Sequence, residues 1–131
     1  GALLDENPPD IVVLGVGENG HIAFNDPPVA DFADKKTVKC VKLDETCRNQ
    51  QVNDGCFKTL DEVPTHAVTM GIKNIMQAKS ILMLISGEAK ADTVVRLLSG
   101  EVSTDFPASI LYRHDDVTII VDEAAYSKMN K

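Results

Sequence analysis

His21 leaves a glycine turn with Asn19 two residues before it and with Asn25 and Asp26 close behind. An imidazole beside a carboxylate has a fixed ring and a raised imidazolium population, as general acid–base chemistry requires. The turn, Gly15-Val16-Gly17-Glu18-Asn19-Gly20, reads G-x-G-x-x-G and follows a strand-like run at 11–16. Glycines there let a substrate approach the main chain closely, with Gly17 and Gly20 nearest the histidine. The same spacing suits a histidine that only caps the turn and an Asp26 that caps a short helix. Spacing alone leaves both readings open.

A dinucleotide fingerprint asks more of such a turn. Its third glycine opens a long crossover helix whose amino end faces a pyrophosphate. Here Gly20 is followed by His21-Ile22-Ala23-Phe24-Asn25-Asp26-Pro27-Pro28, and two prolines so soon leave no room for that helix. The pattern therefore argues against a nicotinamide cofactor, and no cofactor is expected. The alternative is a tight turn at the carboxyl end of a parallel strand, where open α/β sheets place their ligands.

Two positions could hold an anion. Ser86-Gly87-Glu88-Ala89-Lys90 follows an apolar run and opens a helix, so free amides and the Lys90 ammonium would converge there. Arg48, on the helix after Asp44, offers a guanidinium that matches phosphate oxygens in a fork. The bland counterparts are a solvated surface lysine and an intrahelical pair between Arg48 and Asp44.

These side chains need a frame. Continuous apolar runs at 11–16, 81–85 and 117–121 suit strands buried on both faces, and 37–43 and 66–70 are weaker strand candidates. Helices are expected at 44–53 with Asp44 as N-cap, at 71–78, and at 122–130. The clearest is 91–98, where Ala91, Val94, Val95 and Leu98 follow an i, i+3, i+4, i+7 stripe and Gly100 lies just beyond. Strands alternating with helices predict one α/β domain over 1–131, a three-layer αβα sandwich around a mainly parallel, Rossmann-like sheet. The first strand begins only about ten residues into the chain, so the domain reads as the second part of something longer.

Charge and composition narrow the partners. The 131 residues carry a formal charge of −7, which argues against nucleic acid or an anionic membrane. No apolar run is long enough to span a bilayer. Cys40, Cys47 and Cys56 lack C-x-x-C spacing, and no two histidines stand at ligand spacing. No metal site is expected; the thiols read as reduced packing residues of a cytoplasmic protein. His66 and His114 read as structural or solvated, and a homo-oligomer stays open.

The stretch "LGVGENGHIAFNDP" resembles the glucosamine-6-phosphate deaminase (isomerase) signature, G-x-G-x-[DN]-G-H-I-[AG]-F-N-[ED]-P. The likeness continues through "LDETCRNQQVNDGCFKTLDEVPTHAVTMGI", "LISGEAKADTVVRLLSGEVSTDFPAS" and "VTIIVDEAAY". The same clan holds 6-phosphogluconolactonases, ribose-5-phosphate isomerases and sugar-sensing regulator domains. The resemblance implies a metal-independent conversion of glucosamine 6-phosphate to fructose 6-phosphate and ammonia. In it His21 opens the sugar ring, Asp26 orients and charge-stabilises His21, and Asn19 completes the cluster. Lys90 and Arg48 would hold the phosphate. The aspartate that moves the proton between C2 and C1 belongs to the family's amino-terminal half, so this carboxyl-terminal portion is expected to be inactive alone. Asn19 replaces the commoner Asp, and Asp26 the commoner Glu. Residues 29–36 do not match the segment that binds an allosteric activator in hexameric members. A lactonase-like hydrolase and a non-catalytic sugar-phosphate sensor are the alternatives.

Overall fold

Runs of β-branched and long aliphatic residues without polar alternation end as parallel strands, and three of the five strands here do so. In the computed structural model, which describes residues 1–129, the strands are β1 (Ile11–Leu14), β2 (Val38–Lys42), β3 (His66–Met70), β4 (Ser80–Ile85) and β5 (Val117–Val121). β4 lies between β1 and β5, parallel to both, so all three carboxyl ends open on one side. β2 and β3 pair with each other, antiparallel, in a separate two-stranded ladder. The α/β class and the parallel sheet expected from the sequence are present. The two weaker strand candidates lie outside that sheet, because their residues find each other across the intervening helix.

The helices are α1 (Ala2–Glu6), α2 (Glu45–Asn53), α3 (Ile72–Met76), α4 (Ala91–Leu98) and α5 (Glu123–Tyr126). α5 is shorter than the run 122–130 predicts, and Asn130 lies outside the described residues. α4 departs from its expected stripe. Ala91, Thr93, Val94 and Leu97 are buried, while Val95 and Leu98 remain 41% and 38% exposed. The helix is turned so that Thr93 Oγ1 donates to the Glu18 carbonyl in the glycine turn.

One sheet face carries the core. Val12, Leu14, Ile81, Met83, Ile85, Val117, Ile119 and Val121 pack there with Ile75, Val94 and Leu97. The opposite face is apolar but uncovered: Ile11, Val13, Leu84 and Ile120 are each about half exposed or more. The apolar runs were expected to be buried on both faces; in this chain only one face is.

Candidate active site at the strand tips

β1 ends at Leu14 and the chain turns at once through Gly15–Gly20 with no helix before β2. The turn closes on itself, Gly17 N–H donating to the His21 carbonyl and Gly20 N–H to Gly17. Two glycines are obligatory here for different reasons. A Cβ at Gly17 would lie 2.0 Å from the His21 ring. Gly20 has φ +85°, and a Cβ there would run into the Phe106 ring at 2.3 Å. Beyond His21 the chain is pinned to β3: Phe24 N–H donates to Thr69 Oγ1, and Asn25 Nδ2 donates to the Met70 carbonyl.

Asn19 organises the site. Its Oδ1 lies 2.6 Å from His21 Nδ1 and accepts the His21 backbone N–H at 3.0 Å. Its Nδ2 donates to Asp44 Oδ2 at 3.1 Å and to Asp26 Oδ1 at 3.4 Å. Asp26 is fully buried; its Oδ1 stands 3.2 Å from His21 Nδ1 and its Oδ2 accepts the Asp44 N–H at 2.9 Å. Nδ1 therefore faces two oxygens, which assigns the hydrogen of the neutral ring to Nδ1 and leaves the Nε2 lone pair unused. Burial holds the His21 pKa below the ordinary histidine value, opposed by Asp26 and Asp44 and assisted by Lys90. That shift favours the neutral ring, whose Nε2 is open to accept a proton.

Lys90 is no solvated surface lysine. Its ammonium reaches back from the amino end of α4 and donates to the Val16 carbonyl at 2.9 Å. Burial lowers its pKa, against the pull of Glu18 and Asp54. The neighbouring Gly87 amide, expected to be free for an anion, donates instead to both oxygens of Asp122 at 3.0 and 3.1 Å. Asp122 also caps α5 through Ala125 N–H, so one carboxylate ties the tips of β4 and β5 together.

On α2, Cys47 and Gln50 face the turn. Gln50 Oε1 accepts the Glu18 N–H, and the buried Cys47 thiol lies against Asp26. Burial, then the charges of Asp26 and Asp44, push that thiol up to about 11. Arg48, one residue on, points about 100° away. Its Nη2 donates to the Leu60 and Val63 carbonyls. It lines a hollow of ≈ 430 Å³ with Pro28, Val29, Lys42, Leu43, Asp44 and Glu45, and neither His21 nor Lys90 borders that hollow. The pair between Arg48 and Asp44 does not form; Asp44 serves Asn19 instead.

Asn19, His21 and Asp26 are thus brought together, with Gly17 and Gly20 beneath them and Lys90 beside them. Asp44 and Cys47 were not expected there. Asp44 read as an N-cap and as the bland partner of Arg48, yet its side chain makes no cap hydrogen bond. Cys47 read as packing, and Cys40 and Cys56, read likewise, are on the surface. His114 is structural as expected, its Nε2 2.6 Å from the Ala78 carbonyl.

Residues 2–120 match the family model of glucosamine-6-phosphate isomerases and 6-phosphogluconolactonases. The chain belongs to this family. It is 46% identical to a glucosamine-6-phosphate deaminase of Lactobacillus delbrueckii subsp. bulgaricus over 95% of its own length and 51% of the relative's. It is 48% identical to one of Clostridium acetobutylicum, over 88% and 46% of the two chains. A solved structure of a monomeric glucosamine-6-phosphate deaminase superposes with a TM-score of 0.87 at 46% identity, covering 96% of this chain and 51% of that one. The 6-phosphogluconolactonase of Leishmania guyanensis is more distant, with 27% identity and a TM-score of 0.61 over 88% and 40%. This family member spans about half the length of the curated relatives it matches. Among its described residues no helix is long and apolar enough to cross a membrane.

Proposed function

We propose that this chain supplies the ring-opening site of a glucosamine-6-phosphate deaminase. The observation that carries the reading is the His21 ring, held through Nδ1 by Asn19 Oδ1 and Asp26 Oδ1 with Nε2 left to act. Nε2 accepts the anomeric hydroxyl proton and returns it to the ring oxygen as the bond from C1 to that oxygen breaks. Asp26 stabilises the imidazolium formed in between, and Asn19 keeps the ring in its tautomer. In this reading Lys90, whose charge reaches the His21 ring, meets the sugar phosphate, and Arg48, at a hollow His21 does not border, is the second cation for it. The later proton transfer between C2 and C1 falls to an aspartate outside these 131 residues. The metabolite is a small sugar phosphate, handled in the cytoplasm without a cofactor.

Deaminases match at 46–48% identity and the lactonase at 27%, which favours amino-sugar chemistry over ester hydrolysis. The test is to supply glucosamine 6-phosphate, and separately 6-phosphogluconolactone, to the full-length protein containing this segment. Ammonia and fructose 6-phosphate are the expected products, and His21→Gln should lower their rate by about 100-fold or more. Lactone hydrolysis without ammonia would overturn the reading in favour of the hydrolase. Tight sugar-phosphate binding without turnover would favour the sensor.

A further inference from the structure

His21, Asp26 and Cys47 each bring one donor atom to the same spot. A ring nitrogen, a carboxylate oxygen and the thiol sulfur all lie within 4.8 Å of one another. Three points so spaced share a position no more than about 2.8 Å from each, and zinc bonds to these donors run about 2.0–2.3 Å. The 3.2 Å between His21 Nδ1 and Asp26 Oδ1 is close to the ~3.4 Å that separates two ligands of one tetrahedral ion. Closing the site asks that Cys47 and its neighbours move inward by roughly half an ångström and that Nδ1 give up its hydrogen bond to Asn19 Oδ1.

The geometry points to a binding site for one zinc-like divalent cation, held by Cys47 Sγ, His21 Nδ1 and Asp26 Oδ1. One thiolate, one imidazole and one carboxylate form a borderline-soft set that selects zinc or cobalt over magnesium or calcium. Asp26 and Cys47 are fully buried and form the floor, while the His21 side chain is 13% exposed and gives the ion its way in. Without an ion, burial and two carboxylates keep the thiol protonated; a bound cation reverses that balance. On binding, the thiol proton goes to solvent and the imidazole hydrogen moves from Nδ1 to Nε2. The site shares His21 and Asp26 with the ring-opening reading but is argued from geometry independent of it. Under that reading, the hydrogen moved to Nε2 occupies the lone pair that ring opening needs, so the bound form is inactive.

The test is a Co2+ titration of the 131-residue chain, followed by optical absorption. One equivalent should bind and produce a thiolate-to-cobalt charge-transfer band, which Zn2+ then abolishes by displacement. Cys47→Ser should remove the band and weaken binding by at least about 100-fold, more than losing an outer-shell partner costs. Cys40→Ser and Cys56→Ser should retain it. Should Cys47→Ser fail to fold by circular dichroism, His21→Gln in the same titration should weaken binding by tenfold or more. No thiolate band in the parent chain, a band that survives Cys47→Ser, or unchanged affinity in His21→Gln would overturn the site.

Discussion

The His21 ring lies directly over Gly17, in the volume that any side chain at position 17 would fill. A Cβ there would meet Cε1 at 2.0 Å and Nε2 at 2.5 Å, so Gly17→Ala must displace the imidazole. Displacement by about an ångström at a reacting centre costs about 100-fold in rate. Gly17→Ala should lose that much ammonia release from the full-length protein, while its circular dichroism spectrum stays that of the parent. A fully active variant would show that the ring position is immaterial.

The pH dependence of stability carries a sign set by His21. Its folded pKa lies below the ordinary 6.5. The unfolded chain therefore takes up a proton as pH falls through 6.5, while the folded chain does not until lower pH. The stabilisation is complete above 6.5 and is lost as pH drops from there toward the folded value. Urea unfolding at pH 7.5 and 5.5 should show lower stability at the acid end. His21→Gln should remove part of that slope, and NMR titration of the ring should give a pKa below 6.5.

Asn19 is the point where an amide does what a carboxylate cannot. It accepts from His21 and donates to Asp26 and Asp44 at once. Asn19→Asp removes both donations and places a third carboxylate beside the ring, so the His21 pKa should rise relative to the parent. Asp44→Ala should move it the other way, because the Asp44 charge raises it. Loss of the Asp44 side chain should cost about 1 kcal/mol, the worth of one hydrogen bond, with no loss of a helix cap. Two-dimensional NMR and thermal melts of the two variants check both statements.

Much of this arrangement was legible in the sequence. Pro27 and Pro28 ruled out a crossover helix after Gly20, and the uninterrupted runs at 81–85 and 117–121 became β4 and β5. What stayed hidden depends on contacts far apart along the chain. Asp44 reaches Asn19 across 25 positions, and Asp122 reaches Gly87 across 35. Neither leaves a periodicity to read. Cys47 gave no sign either, since a thiol on the turn-facing side of a helix looks the same in sequence as one in the core. The stripe of α4 misled by one position, because Thr93 contributes a hydroxyl to the turn and rotates Val95 and Leu98 outward.

Lys90 and Arg48 should separate on substitution. Lys90→Met removes the ammonium proposed to meet the sugar phosphate, and should weaken substrate affinity about tenfold or more while the chain stays folded. It should also raise the His21 pKa, since Lys90 lowers it. Arg48→Met loses two carbonyl bonds that anchor residues 60–63, and should cost about 2 kcal/mol or more of stability as well as affinity. Isothermal titration with glucosamine 6-phosphate and thermal melts on the full-length protein distinguish the two.

The bare side of the sheet decides how this polypeptide behaves in the test tube. Ile11, Val13, Leu84 and Ile120 form an oily floor that water wets at a cost, and any surface settling on it draws stability from mass action. The melting temperature of the isolated chain should therefore climb with its own concentration, or with that of a covering partner. An environment-sensitive dye such as anilinonaphthalene sulfonate should brighten on the folded form.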